Sequence, residues 1–211
     1  RTTRRVAAID LRQAIRFIRR NAKRFNVDPD RLGAWGFSAG GMAMTMHLRM
    51  PQNGKVRQRY RSPDGEEVDK KLPSDGGPLA DSGITSRLQV MVFSSGHEIH
   101  PKNAQKHISG FGDRMPEAVF LYQAPGERPW VRGSVPADHP IRKAYESREV
   151  VFEGYGVEGG KHCPNLKLTV KKDGRDVPLH ECILAFLGRN LKERPSADAD
   201  KGGEGAASSS S

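Results

Sequence analysis

Ser38 stands at the centre of Gly36-Phe37-Ser38-Ala39-Gly40, a G-x-S-x-G pattern. A short apolar run, Leu32 to Trp35, leads into it, and a helix-like run continues to Met50. The stretch predicts a strand, a sharp turn with serine at its tip, then a helix. Such a turn is strained, and glycine at 36 and 40 leaves out the Cβ atoms that would meet neighbouring backbone. The hydroxyl of Ser38 is pushed outward, where it can attack an acyl carbon. The backbone N–H of Ala39 opens the helix and can point at a developing oxyanion. Serine does this chemistry only when a base takes its proton and an acid steers the base. Partners must therefore come from other parts of the chain.

The elements that would position them follow from periodicity. Leu11, Ala14, Ile15, Ile18, Ala22 and Phe25 share one helical face of residues 6–25, with Arg12, Arg16, Arg19, Arg20 and Lys23 on the other side as a solvated face. Asp28-Pro29 ends that helix. After the serine turn, Met42, Ala43, Met46 and Met50 run down one side of the next helix, a spacing that reads as core packing. LQVMVF at 88–93 and AVFLY at 118–122 are continuous apolar runs, as strands buried on both faces should be, and Val150 to Phe152 is the core of a third. Ile141, Ala144 and Tyr145 suggest a helix with Asp138 near its N-cap. Leu166 to Lys172 reaches a turn at Asp173-Gly174, and Leu179, Cys182, Ile183, Phe186 and Leu187 mark a closing helix. Strands alternating with helices predict a parallel α/β sheet.

Asn21-Ala22, Asp28-Pro29-Asp30-Arg31 and Gly36-Phe37-Ser38-Ala39-Gly40-Gly41 together resemble the α/β-hydrolase-fold esterases, most of all the acetyl-esterase, acetylxylan-esterase and feruloyl-esterase-like branch. The likeness is strongest over residues 9–50 and continues in order to about residue 191. It implies a triad in the chain order serine, acid, histidine. The family's histidine follows a glycine pair in the loop after the last strand, which implies His162 after Gly159-Gly160. The family's aspartate stands a few residues past the preceding strand, which implies Glu127, with Asp138 as the alternative acid. Ala39 would supply one oxyanion donor. The family carries a His-Gly-Gly loop and several strands before the first helix seen here, and nothing in residues 1–30 matches them. The resemblance therefore implies a partial, N-terminally truncated α/β-hydrolase fold: a mostly parallel sheet flanked by helices, its early strands missing, with an exposed apolar edge at 32–35. A first residue that is Arg rather than Met agrees with a missing N-terminus. One missing oxyanion donor costs on the order of 10²–10³ in turnover, so a weak or inactive fragment is expected. The implied activity is a serine carboxylic-ester hydrolase for short acyl esters such as acetyl groups on carbohydrate, without metal or organic cofactor. A prolyl-oligopeptidase-type peptidase and a non-catalytic scaffold stay open beside it.

The rest of the sequence bounds these readings. Residues 1–194 form one domain with a polar insertion at 52–87, in which Gly54 to Lys71 would make a hairpin across Pro63-Asp64-Gly65. Pro195 to Ser211 is low-complexity and expected to be disordered. Net charge is +10, and residues 1–31 carry nine Arg and one Lys against three Asp. No aromatic interleaving or nucleic-acid motif accompanies that basic stretch, so no nucleic-acid partner is expected. No apolar run approaches a membrane span. His97, His100 and His107 have no zinc-site spacing, and His47 reads as structural. His180, the other candidate base, begins the closing helix and should be at the surface. Trp130 either walls a pocket or packs, and Cys163 and Cys182 form a disulfide or remain two thiols.

Overall fold

The computed structural model describes residues 2–51, 54–80, 82–125, 131–162 and 164–191. Glu127, Trp130, Cys163 and the tail at 195–211 lie outside them. In chain order the elements are α1 (Thr2–Arg20), α2 (Ala22–Phe25), β1 (Gly33–Phe37), α3 (Ala39–Arg49), β2 (Lys55–Arg61), β3 (Glu67–Pro73), β4 (Val90–Ser94), α4 (Ala104–Ser109), β5 (Ala118–Gln123), β6 (Gly133–Ser134), α5 (Pro140–Glu146), β7 (Val151–Gly156), β8 (Thr169–Lys172), β9 (Arg175–Pro178) and α6 (Leu179–Asn190). The main sheet has five strands in the order β1-β4-β5-β7-β6. The first four run parallel and β6 is antiparallel to β7. The mostly parallel α/β sheet is thus as expected, and it has the partial α/β-hydrolase form. β2 and β3 pair as an antiparallel hairpin, and so do β8 and β9, whose turn uses positive φ at Asp173 and Gly174.

Every residue of β4 and β5 is buried, because each side of the sheet carries its own core. Met91, Phe93, Val119 and Leu121 pack with Met44 and Leu48 of α3 and with Ile108, Ile141 and Tyr145 from α4 and α5. Val90, Val92, Phe120 and Tyr122 pack on the other side with Ile183 and Phe186 of α6. β1 lies at the edge of the sheet, and its Trp35 and Phe37 stack on each other and stay exposed. Trp35 Nε1 also donates to the Tyr122 hydroxyl at 3.2 Å.

Two expectations about packing change. The basic side of α1 is not simply solvated: Arg12 is fully buried and Arg16 nearly so, while Ile18 and Phe25 of the apolar face are exposed. Arg12 donates to the carbonyls of Ser74 and Met50, both at 2.7 Å, of His47 at 2.9 Å and of Pro51 at 3.4 Å. One guanidinium therefore closes the C-terminal end of α3, where carbonyls lack helical partners, and ties it to the chain after β3. Burial lowers the Arg12 pKa to about 10. Arg16 grips both carboxylate oxygens of Asp75, at 2.8 and 2.5 Å. Of the stripe expected to pack, Ala43 and Met50 are buried and Met46 lies against Met50, Ala8 and Ile9, whereas Met42 is only half-buried; Met44 and Leu48, outside that stripe, enter the main core. Gly154 and Gly156 lie within β7. A Cβ on Gly156 would overlap the Val131 carbonyl, so this glycine lets the chain entering β6 lie against β7.

Candidate active site

Ser38 occupies the bend between β1 and α3 with φ 45° and ψ −109°, a strained conformation for a residue with a Cβ. Its N–H donates to the Ser94 carbonyl at 2.8 Å, and its carbonyl accepts from Met42 N–H at 3.0 Å. These bonds fix the bend against β4 on one side and against the helix on the other. A Cβ on Gly36 would lie 2.7 Å from Gly40 C and Gly41 N. The second glycine of the pattern differs from expectation, since a Cβ on Gly40 would meet nothing. The crowding falls instead on Gly41, whose Cβ would come within 2.7 Å of Gly96 Cα, and on Gly96, whose Cβ would overlap the Ser38 carbonyl. Gly96 belongs to the loop after β4, and no local pattern marks it as a partner of the bend.

His162 arrives from the loop that follows β7. Gly160 N–H donates back to the Val157 carbonyl at 3.1 Å, and Gly159 between them has φ +68°. That turn folds the chain back over the C-terminal ends of the strands. The His162 Nε2 atom lies 2.6 Å from Ser38 Oγ, across 124 residues of sequence. With a proton on Nδ1, the imidazole would accept a hydrogen bond from the serine hydroxyl at Nε2. The Ala39 N–H opens α3 and has no helical acceptor of its own.

Asp138 sits exposed in the turn before α5 and makes no hydrogen bond or ion pair with His162. His139, rather than Asp138, caps α5, its side chain accepting from Ile141 N–H. Glu127 lies outside the described residues. His180 is exposed at the start of α6.

A pocket of about 280 Å³ opens beside His162, lined also by Met42, Gly96, His97, Glu98 and Gln123. His97 is buried, 2.9 Å from the Tyr145 hydroxyl through Nε2 and edge-on to Phe93, so it serves the packing of β4 against α5. Glu98 pairs with Arg4 of α1. His100 accepts from Lys102 N–H at 3.2 Å, and burial lowers the His107 pKa. Among the described residues no group of three or more His, Cys, Asp or Glu is arranged to hold a metal ion. His47 is sealed beneath α1, where Arg12 Nε donates to its Nδ1 at 3.4 Å; burial first, then the Arg12 charge, hold its pKa at about 3. Cys182 is a buried free thiol on α6.

A family model described as BD-FAE matches residues 3–71, the segment from α1 through the serine turn to the β2–β3 hairpin. No curated protein matches the chain at a significant level. Among solved structures the chain is similar to a truncated form of a carbohydrate esterase from gut microbiota, with a TM-score of 0.52 at 17% identity, covering 87% of this chain and 68% of that one. Two others are an acetyl ester-xyloside bifunctional hydrolase from Caldicellulosiruptor lactoaceticus (TM-score 0.43, 19% identity, covering 74% of this chain and 56% of that one) and a thermophilic esterase from the planctomycete Thermogutta terrifontis (0.44, 17%, 87% and 62%). The chain thus spans between 56% and 68% of the length of these structures. The fold of this chain is a partial α/β-hydrolase fold, and its residues 3–71 carry the pattern of the esterase-type BD-FAE model.

Proposed function

We propose that the chain is the serine-bearing part of a carboxylic-ester hydrolase. The observation that carries this reading is the 2.6 Å approach of His162 Nε2 to Ser38 Oγ at a strained strand–helix bend. His162 takes the hydroxyl proton as Ser38 Oγ bonds to the acyl carbon. The carbonyl oxygen becomes an oxyanion and receives the Ala39 N–H. Collapse breaks the ester C–O bond, and the imidazolium returns its proton to the leaving alcohol. Water then adds to the acyl-serine with the same imidazole as base, releasing the acid and restoring Ser38. The acid that would orient His162 is, by the resemblance, Glu127, with Asp138 as the alternative. The route uses no metal or organic cofactor.

Short acyl esters, among them acetyl groups on carbohydrate, suit a pocket of about 280 Å³ next to the imidazole. This is just below the range of about 300–1,000 Å³ usual for drug-sized ligands. The carbohydrate esterase that shares the fold supports the same class. The test is labelling by a fluorophosphonate together with hydrolysis of 4-nitrophenyl acetate. The label should map to Ser38 and vanish in Ser38→Ala. His162→Ala should slow both reactions by about 10²–10⁴-fold, the usual contribution of a positioned general base. A folded chain whose Ser38 takes no label would favour the non-catalytic scaffold.

A further inference from the structure

Gln123 ends β5 at the same level of the sheet as Ser38 and Ser95: Ser38 follows Phe37, Ser95 follows Ser94 and Gln123 follows Tyr122 in the paired register. Two strand spacings, about 9.5 Å, separate the Gln123 backbone from that of Ser38. Its side chain lies on the α3 side of the sheet, lining the pocket beside His162. The residue is only 6% exposed. Its backbone carbonyl is used, accepting from Val157 N–H at 2.9 Å. Its side-chain amide has no hydrogen-bond partner among the described residues, and neither amide atom is sealed from solvent. Both amide atoms are open to the pocket, so a ligand group that displaces water there must itself satisfy the amide or leave it unmet.

We infer that the Gln123 amide reads an uncharged hydroxyl of the substrate, at a position several bonds from the ester carbonyl. This rests on the ester-hydrolase reading and adds a specificity residue to it. The amide is neutral and offers both donors and an acceptor, which complements a hydroxyl in either role. Among the described residues that line the pocket there is no Lys or Arg, and the one carboxylate, Glu98, is paired with Arg4, so a neutral hydroxyl suits the amide better than a carboxylate or phosphate does. With the two backbones about two strand spacings apart, the contact is assigned beyond the ester group, on the alcohol side or on a long acyl group. A site built to bond a hydroxyl discriminates strongly against an analogue without it, because its own polar group is then left unmet.

The experiment compares matched esters on the whole chain. One pair is acetylated methyl xyloside against its deoxy analogue, for a hydroxyl on the alcohol. The other is methyl 4-hydroxycinnamate against methyl cinnamate, for a hydroxyl on the acyl group. In wild type, kcat/KM should favour the hydroxylated member of one pair by at least tenfold. Gln123→Met, of similar length, should reduce that preference about tenfold or more, mainly through KM. Gln123→Glu, which keeps an acceptor and loses the donors, should fall between. An equal loss on both members of each pair would show an effect on His162 or on folding and would overturn the inference, as would an unchanged preference. A second readout does not need turnover. The side-chain NH₂ resonance of Gln123 should shift when methyl β-xyloside or 4-hydroxycinnamate is added to Ser38→Ala, and should not shift with the deoxy partner. If wild type hydrolyses none of the esters while this shift occurs, the hydrolase reading fails and the hydroxyl site stands. No shift with either ligand would remove the site even if ester cleavage is found.

Discussion

Gly36, Ser38 and His162 show how far single residue types carry. The bend around Ser38 is legible because a strained turn needs glycine at fixed offsets, and Gly36 meets that need through a Cβ position already filled by Gly40 and Gly41. Gly40 fits the same pattern for no steric reason. Gly40→Ala should therefore stabilise the chain by up to about 1 kcal/mol through helix propensity, while Gly36→Ala should lose about 1–3 kcal/mol by forcing backbone apart; thermal melts of the two variants separate the cases. Gly96, Gln123 and the Arg12–His47 contact are not legible, since each acquires its meaning from a segment distant in sequence. His47 gives a pH signature. The unfolded histidine takes its proton near 6.5 and the folded one near 3. Between these values the unfolded chain binds more protons, so the contribution of neutral His47 is complete above about pH 6.5 and is lost as pH falls toward 3. The urea midpoint of wild type should drop more between pH 7 and pH 4.5 than that of His47→Gln, whose amide can still accept from Arg12.

At the scale of elements, α1 is held by its charged residues as much as by its apolar face. Helical periodicity identifies α1 but cannot say that Arg12 and Arg16 face inward, because a long basic side chain at a given angle serves equally well in water or against helix-end carbonyls. Here the carbonyls that end α3 and the Ser74 carbonyl after β3 need a donor, and Arg12 supplies it. Arg12→Met should cost about 3–5 kcal/mol by leaving those buried carbonyls without their donor. Arg12→Lys should recover little of this, since an ammonium lacks the planar fork. Urea denaturation checks both, and because α1 packs on the helix that follows Ser38, fluorophosphonate labelling should slow with the loss of stability.

At the scale of the whole molecule, the sheet is unevenly covered. β4 and β5 have strands on both sides and helices on both faces, whereas β1 has one neighbour and leaves Trp35 and Phe37 exposed. The apolar runs of β4 and β5 announce central strands in the sequence, and the resemblance implies the open edge at β1. The short strand β6 escapes sequence reading because its two residues pair only where glycines of β7 admit the approaching chain. Amide hydrogen exchange should follow this asymmetry. The N–H groups of Trp35 and Phe37, which alternate with the β4-bonded Ser38 N–H and so face away from β4, should exchange far faster than those of Val92 and Phe120. Equal protection across these strands would mean that the β1 edge is covered in solution. Whether this frame makes Ser38 and His162 a working pair is read by quenching the chain with acid during reaction with 4-nitrophenyl acetate and locating the acetyl group by peptide mass spectrometry. Acetyl is expected on Ser38 in wild type and is expected to be lost in Ser38→Ala and His162→Ala. An adduct on another residue, no adduct in wild type, or acylation of Ser38 as fast without His162 as with it would show that the two side chains do not act together.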